Sequence, residues 1–377
     1  MKAGWQTKTL GNLCDILDNR RKPITKCDRK AGPYPYYGAT GILDYVDGYL
    51  FDEPLILVGE DGAKWASGDN TAFAVEGKCW VNNHAHVLRP HRSVLLDNWL
   101  IHFLVHSDLS EFVSGLTVPK LNQGSLREIS LPVPPLPEQQ RIVTLLDEAF
   151  DGITTAKAHA EKNLQNARAI FESHLQTVFA QRGQGWLDKS IGEVFKTATG
   201  TTPPKNNSDL YGDFMPLAKP PELCDVPFDT APDGLSEAGA EVARTLPAKS
   251  ILVSCIGNLG KIGLNTVPVA FNQQINAILP DERQAIPEFM FFQALSPIFK
   301  EQLESLASGT TVPIVNKSKF NSVRIVLPPL LTQKISVKQL NALRDETQRL
   351  EAIYQQKLIA LDELKKSLLH RAFNGDL

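Results

Sequence analysis

Two long stretches of the chain carry apolar residues at a helical spacing. The first runs from about 138 to 181 with no proline and a single glycine, Gly152. The second runs from about 331 to 373. Most steps between their apolar or small residues alternate between four and three, the spacing of a coiled-coil seam. These residues are Ile142, Leu146, Ala149, Ile153, Ala156, Ala160, Ala167, Ile170 and Val178 in the first stretch and Leu340, Leu343, Leu350, Tyr354, Leu361, Leu364 and Leu368 in the second.

Each stretch predicts a helical rod. About forty residues at ~1.5 Å each make a rod on the order of 60 Å long. Two such rods from one chain can bury their apolar stripes against each other. In the alternative, each helix lies along its own globular domain. The length and narrowness of the stripes favour the helix pair.

The sequence before each long helix has strand-like and turn-like segments. Residues 54–58 have the composition of a buried strand that ends at the turn-prone Gly59-Glu60-Asp61-Gly62, and residues 250–253 are the counterpart of that strand. Further paired segments are residues 82–90 with 272–280, and predicted helices around 99–112 and 288–306. The fold class is therefore α+β, with two globular domains of mixed strands and helices joined by two long helices.

The chain repeats itself. Trp5 and Trp186 each open one copy. The matching pieces are Leu10-Gly11-Asn12-Leu13 with Ile191-Gly192-Glu193-Val194, Thr117-Val118-Pro119 with Thr311-Val312-Pro313, Pro134-Pro135-Leu136 with Pro328-Pro329-Leu330, and Gln139 with Gln333. A unit of half the chain is far longer than a solenoid repeat, so these are two domain-sized units in tandem. The predicted boundaries are 1–136 and 183–330 for the globular domains, and 137–182 and 331–377 for the helices.

Composition places the chain among globular proteins, with 377 residues, 42% of them hydrophobic and 21% charged. No apolar run approaches the roughly 18 residues of a membrane span, and no signal-peptide core is visible. Five cysteines without CxxC spacing indicate reduced thiols and a cytoplasmic protein. The net charge of −3 is unlike that of a non-specific DNA binder. A sequence-specific binder could instead concentrate cations on one face, for example around Arg20-Arg21-Lys22.

Motifs of catalysis are missing. The loop at 257–262 ends in Gly-Lys, but it lacks the Walker spacing, and Ile262 replaces the hydroxyl that would hold magnesium. His84 and His86 could bind a metal, yet their aligned partners Gln274 and Asn276 would make a poor zinc site. A shared hydrogen-bonding role explains both copies. We therefore predict no catalytic residue, no metal and no cofactor.

The residues that recur in the turn segments are amides, lysines and imidazoles. Asn and Gln suit bidentate reading of adenine, whereas Lys and Arg suit guanine and phosphate. Any one of them could be an ordinary solvated loop residue. The prediction of a binding role therefore depends on their recurrence in both copies. The candidate DNA-binding residues are Arg20, Arg21, Lys22, Tyr37, Lys64, Asn83, His84, His86, Lys120, Asn122, Gln123, Lys205, Asn258, Lys261, Gln273, Gln274, Asn316, Lys317 and Lys319.

Over its full length the chain resembles the specificity subunit of type I restriction–modification enzymes. Tyr36-Tyr37-Gly38-Ala39-Thr40-Gly41, followed by residues 59–62 and 82–86, is similar to one class of target-recognition domain in that family. Residues 131–140 resemble the start of the family's first long helix, and residues 368–377 resemble its usual C-terminus. The second unit departs from the first, with Leu331-Thr332 where the first has Pro137-Glu138.

The resemblance implies a non-catalytic adaptor. Two target-recognition domains would each read one part of a split, asymmetric DNA sequence in the major groove of double-stranded DNA. The two long helices would pack antiparallel, related by a pseudo-twofold axis, set the spacing between the half-sites and dock two methyltransferase subunits. Restriction subunits would join through the complex, and no membrane partner is implied.

Two other interpretations remain open at this stage. The chain could be a coiled-coil scaffold that joins two protein-binding modules without DNA. A nucleotide-dependent transferase that uses the loop at 257–261 is the third interpretation. Salt-dependent DNA binding would distinguish a DNA-reading protein from the scaffold. Stabilisation by nucleotide would favour the transferase.

Overall fold

The chain folds as two compact units. In this computed structural model, which describes residues 2, 4–115, 117–309 and 311–377, unit 1 comprises residues up to Glu161 together with Gln356–Leu377. Unit 2 is Lys162–Gln355. The predicted globular domain 1–136 lies in unit 1 and the domain 183–330 in unit 2. Each long helix contributes one part to each unit.

Unit 1 is built on two four-stranded sheets and two separate strand pairs. Its strands are β1 (Gln6–Thr9), β2 (Cys14–Ile16), β3 (Ala31–Gly38), β4 (Gly41–Val46), β5 (Phe51–Asp52), β6 (Leu55–Gly59), β7 (Ala72–Val75), β8 (Lys78–Val81), β9 (Ala85–Pro90), β10 (Val113–Ser114), β11 (Lys120–Leu121) and β12 (Ser130–Val133). Its helices are α1 (Leu10–Leu13), α2 (Asp97–His106), α3 (Gln123–Glu128) and the first part of α4 (Leu136–Ala180). The sheets run β2-β9-β6-β7 and β4-β3-β8-β5, and the separate pairs are β1–β12 and β10–β11.

Unit 2 repeats this framework with additions. Its strands are β13 (Leu187–Ser190), β14 (Lys196–Thr199), β15 (Tyr211–Ala218), β16 (Pro227–Phe228), β17 (Gly234–Leu235), β18 (Thr245–Leu246), β19 (Ile251–Ser254), β20 (Ile262–Asn265), β21 (Val269–Phe271), β22 (Ile275–Leu279) and β23 (Arg324–Leu327). Its helices are α5 (Ile191–Val194), α6 (Glu237–Val242), α7 (Pro287–Leu295), α8 (Pro297–Leu306), α9 (Lys317–Asn321) and part of α10 (Leu330–Asn374). The sheets run β14-β22-β19-β20-β16 and β17-β15-β21-β18.

The strand pairing carries the sequence repeat into three dimensions. In unit 1, β9 lies between β2 and β6 and pairs antiparallel with both. In unit 2, β22 lies between β14 and β19 in the same way. The parallel pair β3–β8 likewise has its counterpart in β15–β21. Two units with one pairing scheme confirm the predicted internal repeat.

The central strands are buried on both faces. Along β6, Ile56 and Val58 belong to one hydrophobic core of unit 1, whereas Leu55 and Leu57 belong to another. Successive side chains of a strand point to opposite faces, so one strand serves both cores. This explains why residues 54–58 form a continuous apolar run and not an alternating one.

The long helices pack antiparallel within each unit. In unit 1, the Lys157 ammonium lies 2.8 Å from an Asp362 carboxylate oxygen. In unit 2, the Arg168 guanidinium lies 2.8 Å from a Glu351 carboxylate oxygen. Also in unit 1, the Lys365 ammonium lies 5.0 Å from the centroid of the Phe150 ring, so the residue number falls along α10 as it rises along α4. This is the antiparallel arrangement that the family resemblance implied.

Two residues that were expected in the helix seam are exposed instead. The exposed fraction is 51% for Ile170 and 47% for Leu364. Beyond Ala167, Phe171, Leu175 and Phe179 follow at steps of four and pack in the core of unit 2, together with the partly buried Val178. A straight helix has 3.6 residues per turn, so a stripe at a 3.5-residue spacing drifts around its surface. The seam expectation was wrong at these two positions.

The shorter helices begin and end where local chemistry requires. The helix expected around 288–306 is divided into α7 and α8, because Ser296 caps α8 through the Phe299 N–H and Pro297 has no N–H to continue α7. The helix expected around 99–112 ends at His106. Within the described part of the chain, no helix is long and apolar enough to cross a membrane.

A buried glutamine ties each long helix to its unit. The Gln139 amide nitrogen donates to the carbonyls of Val94 and Pro134, each at 2.8 Å, and its carbonyl oxygen accepts from the Leu96 N–H at 2.9 Å. Gln333 repeats the pattern in unit 2. Its amide nitrogen donates to the carbonyls of Gln284 and Pro328, and its oxygen accepts from the Ile286 N–H. Both side chains are fully buried.

Candidate nucleic-acid interface

In unit 1, four segments that carry predicted site residues are held together by hydrogen bonds. We call residues 18–22, 59–64, 82–86 and 120–123 loop cluster 1. The Glu60 N–H donates to the His84 carbonyl and the Leu121 N–H donates to the Glu60 carbonyl, both at 2.8 Å. The Gln123 amide nitrogen reaches the Asp18 carboxylate at 3.1 Å. The four segments therefore form one surface.

Charged groups occupy the interior of loop cluster 1. The Arg21 guanidinium pairs with Glu60 and, at 3.3 Å, with Asp18. It also donates to the Ala85 carbonyl at 2.8 Å. The Lys120 ammonium lies 2.8 Å from the other Glu60 oxygen, and this hydrogen bond raises the pKa of Lys120. Arg21 and Lys120 thus compensate buried carboxylates.

His86 is the most deeply buried side chain of this network of charged groups. Its side chain is fully buried, with Nδ1 at 2.6 Å from Asp18 and Nε2 at 2.7 Å from the Leu121 carbonyl. Both ring nitrogens therefore face oxygen acceptors. Burial by itself raises the pKa of Asp18, but the contact with His86, the hydrogen bond from the Val87 N–H and the charge of Arg21 together hold that pKa below its ordinary value.

Unit 2 builds the same frame from neutral groups. We call residues 199–205, 254–261, 272–276 and 313–319 loop cluster 2. The Cys255 N–H donates to the Gln274 carbonyl and the Val315 N–H to the Cys255 carbonyl, both at 2.8 Å. These are the bonds that Glu60 makes in unit 1. Cys255 therefore stands at the position of Glu60, and burial raises the pKa of its thiol to about 11.

Asn276 takes the place of His86. Its amide nitrogen donates to the Val315 carbonyl at 3.2 Å, as His86 reaches the Leu121 carbonyl. The amide oxygen accepts from the Thr199 hydroxyl at 2.6 Å, where His86 meets Asp18. The shared hydrogen-bonding role that the sequence alignment predicted for these positions is what the two side chains have in common.

Several candidate residues have structural partners. The Asn122 and Asn316 side chains cap α3 and α9 by accepting from the Ser125 and Lys319 N–H groups, each at 3.0 Å. Arg20 reaches Glu53 at 3.4 Å. These contacts support the local fold, and a DNA-binding role of these residues stays a prediction.

Other candidates are arranged at the surface of the clusters. His84 is half exposed and pairs with Asp61. Gln273 accepts from the Thr202 hydroxyl at 2.8 Å, and Gln274 accepts from the Asn272 amide at 3.0 Å. Tyr37 is half-buried against Phe73. Exposed candidates whose side chains have no hydrogen bond or ion pair with the described residues are Lys22, Lys64, Asn83, Lys205, Asn258 and Lys317.

Sequence reasoning missed the acidic half of loop cluster 1. Asp18, Glu60 and Asp61 make the contacts that order Arg21, Lys120 and the two histidines. The partners are separated by 39 residues or more in most of these pairs. No spacing rule reveals such contacts, because they depend on which strand ends meet.

Asp18, Glu60 and His86 also offer donor atoms within 4.8 Å of one another, as a metal site would. Arg21 and Lys120 already supply cations to both carboxylates. A divalent ion would have to displace them. The prediction that this chain holds no metal therefore rests on charge balance and on the neutral counterparts in unit 2.

The loop at 257–261 has the geometry of a strand connection. Gly257 and Gly260 have φ values of 75° and 73°, which favour glycine, and the loop joins β19 to β20. A phosphate-binding glycine loop leads into a helix whose N–H groups face the anion. Here a strand follows, so the nucleotide interpretation loses its support.

Comparison with known proteins identifies the family. Residues 2–165 and 183–358 each match the type I restriction modification DNA specificity domain. The chain is 28% identical to a type I restriction enzyme specificity subunit of Haemophilus influenzae, over 86% of this chain and 84% of that one. It is 34% identical to the HindI specificity subunit of the same organism, over 52% of this chain and 42% of that one.

A solved structure agrees at the level of fold. A chain from a structure on complex assembly and conformational transition of the type I R-M system superposes with a TM-score of 0.80. The superposition covers 100% of this chain and 99% of that chain, at 17% sequence identity. The two matched domains cover the two sequence repeats.

The protein is therefore a member of the type I restriction–modification DNA specificity family. Members are non-catalytic specificity subunits that recognise a DNA target, and catalysis resides in other subunits of the system. This membership confirms the predicted family, the predicted fold class and the prediction that the chain is not an enzyme.

Proposed function

We propose that this chain reads a bipartite, asymmetric target in double-stranded DNA, with one half-site for each unit. The observation that carries the proposal is one hydrogen-bonded frame with different side chains at equivalent positions. Cys255 makes the backbone hydrogen bonds of Glu60, and closer to the surface His84 of unit 1 corresponds to Gln274 of unit 2 and Gln123 corresponds to Lys317. A shared frame presents each loop cluster in the same way, whereas different side chains recognise different bases.

The long helices are proposed to dock two methyltransferase subunits, and restriction subunits join through the assembled complex. The helices have large apolar side chains that this chain leaves exposed, with Leu331 at 72% and Ile359 at 64%. Further exposed apolar side chains on the helices are Leu145, Ile170, Ile335, Ile353 and Leu364. Exposed apolar residues that cluster on an element mark an interaction surface. The spacing between half-sites is proposed to follow from the length of the helix pair, and the complex is proposed to act in the cytoplasm.

The test is to express this chain together with its methyltransferase partner and to map the methylated adenines across a genome. We expect two unlike short sequences separated by a spacer of constant length. A chain in which His84, Asn83 and Gln123 are replaced by alanine is expected to lose discrimination in one half of the motif only. A continuous or palindromic motif would refute the proposal.

The scaffold interpretation makes the opposite prediction. It expects no binding to duplex DNA that weakens as salt rises, even in the presence of the methyltransferase. Contacts with phosphates predict a steep salt dependence, because each neutralised phosphate releases condensed counterions. Measuring affinity at several salt concentrations therefore separates the two functions.

A further inference from the structure

The two loop clusters differ in their charged residues. Loop cluster 1 contains Arg20, Arg21, Lys22, Lys64 and Lys120 together with the acids Asp18, Glu60 and Asp61. Loop cluster 2 contains Lys205, Lys261, Lys317 and Lys319 and no acidic residue. Because both clusters share one backbone frame, this difference comes from the side chains and not from a different arrangement of the loops.

The cations at the centre of loop cluster 1 are already compensated. Arg21 is held by Glu60 and Asp18, and Lys120 lies 2.8 Å from Glu60 and 3.8 Å from Asp61. A phosphate that approached Lys120 would have to compete with these two carboxylates. Exchanging one ion pair for another releases few counterions, so such a contact adds little to the salt dependence of binding.

The lysines of loop cluster 2 have no such partners. Their ammonium groups make no ion pair or hydrogen bond with the described residues of the chain. The groups that replace the acids here, Cys255 and Thr199, are neutral. Asn316 holds the start of α9 through its cap, which fixes the backbone from which Lys317 and Lys319 project. Lys205 and Lys317 are exposed, and Lys261 and Lys319 are half-buried without a partner for their ammonium groups among the described residues.

We propose that the two units contribute differently to DNA binding, an inference that rests on the proposed function. Loop cluster 2 anchors the complex to the DNA backbone through Lys205, Lys261, Lys317 and Lys319. Loop cluster 1 reads its half-site through polar groups around Arg21 and Lys120, whose charges are balanced by Asp18 and Glu60, and only Lys22 and Lys64 among its cations lack a partner in the described part of the chain. The electrostatic part of the affinity then comes mainly from unit 2, whereas unit 1 contributes mainly to discrimination between sequences.

The experiment uses the full chain assembled with its methyltransferase partner and a duplex that carries the methylated motif. Affinity is measured by fluorescence anisotropy from 50 to 200 mM salt. Lys317→Gln is compared with Lys120→Gln, the paired lysine of loop cluster 1, and with Lys196→Gln, an exposed lysine on β14 outside both clusters.

Loss of one phosphate contact reduces the slope of log affinity against log salt by about 0.9. When salt rises fourfold, the affinity of both proteins falls. The fold-loss for Lys317→Gln is therefore expected to be smaller than that for the unchanged chain by a factor of about 3.5. Lys120→Gln and Lys196→Gln are expected to keep the original slope. Combining Lys317→Gln with Lys261→Gln should give twice the change in slope.

A second variant is expected to change the salt dependence of DNA binding in the opposite direction. Glu60→Gln keeps the shape of the side chain but removes the carboxylate that pairs with Arg21 and Lys120. It should steepen the salt dependence and raise the affinity for unrelated DNA. Two results would refute the different contributions of the two units while leaving the proposed DNA recognition intact. One is an equal reduction of the salt slope in Lys120→Gln and Lys317→Gln, and the other is an unchanged slope in Glu60→Gln. If the unaltered complex shows no target-specific binding at all, the proposed function itself fails.

Discussion

Gln139 is predicted to lock the start of the first long helix onto unit 1. Its side chain makes three hydrogen bonds, to Val94, Leu96 and Pro134, and is fully buried. Gln139→Ala removes all three and leaves an N–H and two carbonyl groups without this partner. At about 1 kcal/mol for each hydrogen bond, the free energy of unfolding should fall by about 3 kcal/mol. Buried groups that stay unsatisfied would increase the loss.

The matched control is the neighbouring Gln140. It is exposed, and among the described residues its side chain donates only to the Thr144 hydroxyl, at 3.3 Å. Gln140→Ala should therefore change the stability by less than about 0.5 kcal/mol. For a unit of this size, a loss of about 3 kcal/mol corresponds to a fall in Tm of roughly 6–12 °C.

The assay is urea denaturation of the full chain, combined with hydrogen exchange of backbone amides to locate the loss. Exchange should become faster around 94–96 and at the start of α4 in Gln139→Ala. Gln333→Ala should produce the corresponding change around 284–286 in unit 2, because its hydrogen bonds are the same. If Gln139→Ala is no less stable than Gln140→Ala, the reasoning about buried amides is wrong.

Two further predictions concern acid stability and helix length. The pKa of Asp18 is lowered on folding, so its ionised form stabilises unit 1 above the ordinary value of 3.8, and this stabilisation is lost as pH falls below that value. Asp18→Asn should cost about 2 kcal/mol at pH 7 and weaken the further loss on acidification; denaturation curves of equal pH dependence for both proteins would contradict this. Insertion of one heptad into 153–167 alone should disrupt the helix pair, whereas a matched insertion in 352–366 as well should lengthen the spacer of the methylated motif. An unchanged spacer in a folded double insertion would refute the role of the helices in spacing.

Much of the fold could be predicted from sequence because it depends on local periodicity. The two long helices follow from apolar spacing without proline, and the structure places them at Leu136–Ala180 and Leu330–Asn374. The repeat predicted two units with one design, down to the equivalent roles of Gln139 and Gln333. The seam was predicted less well at Ile170 and Leu364, because the direction in which a helical stripe drifts depends on what packs beside it.

The site was predictable in outline only. The segments that carry Asn83, His84 and Lys120 were identified by recurrence, and the structure joins them in one cluster. Glu60, which pairs with both Arg21 and Lys120, carries no local signal, since it lies far from both in sequence. The same holds for His86, which appeared as a candidate DNA contact and is buried beneath the surface.

The sequence by itself determined the number of units, the two long helices and the family, because repeats, periodicity and motifs are properties of neighbouring residues. Only the tertiary structure decided which polar residues form ion pairs and hydrogen bonds with one another. Glu60 meets Asp18 and Arg21 because β2 and β6, distant in sequence, finish at the same end of one sheet. The neutral frame of unit 2 has no such pairs at the equivalent positions among the described residues, and this leaves its lysines to the solvent and to a ligand.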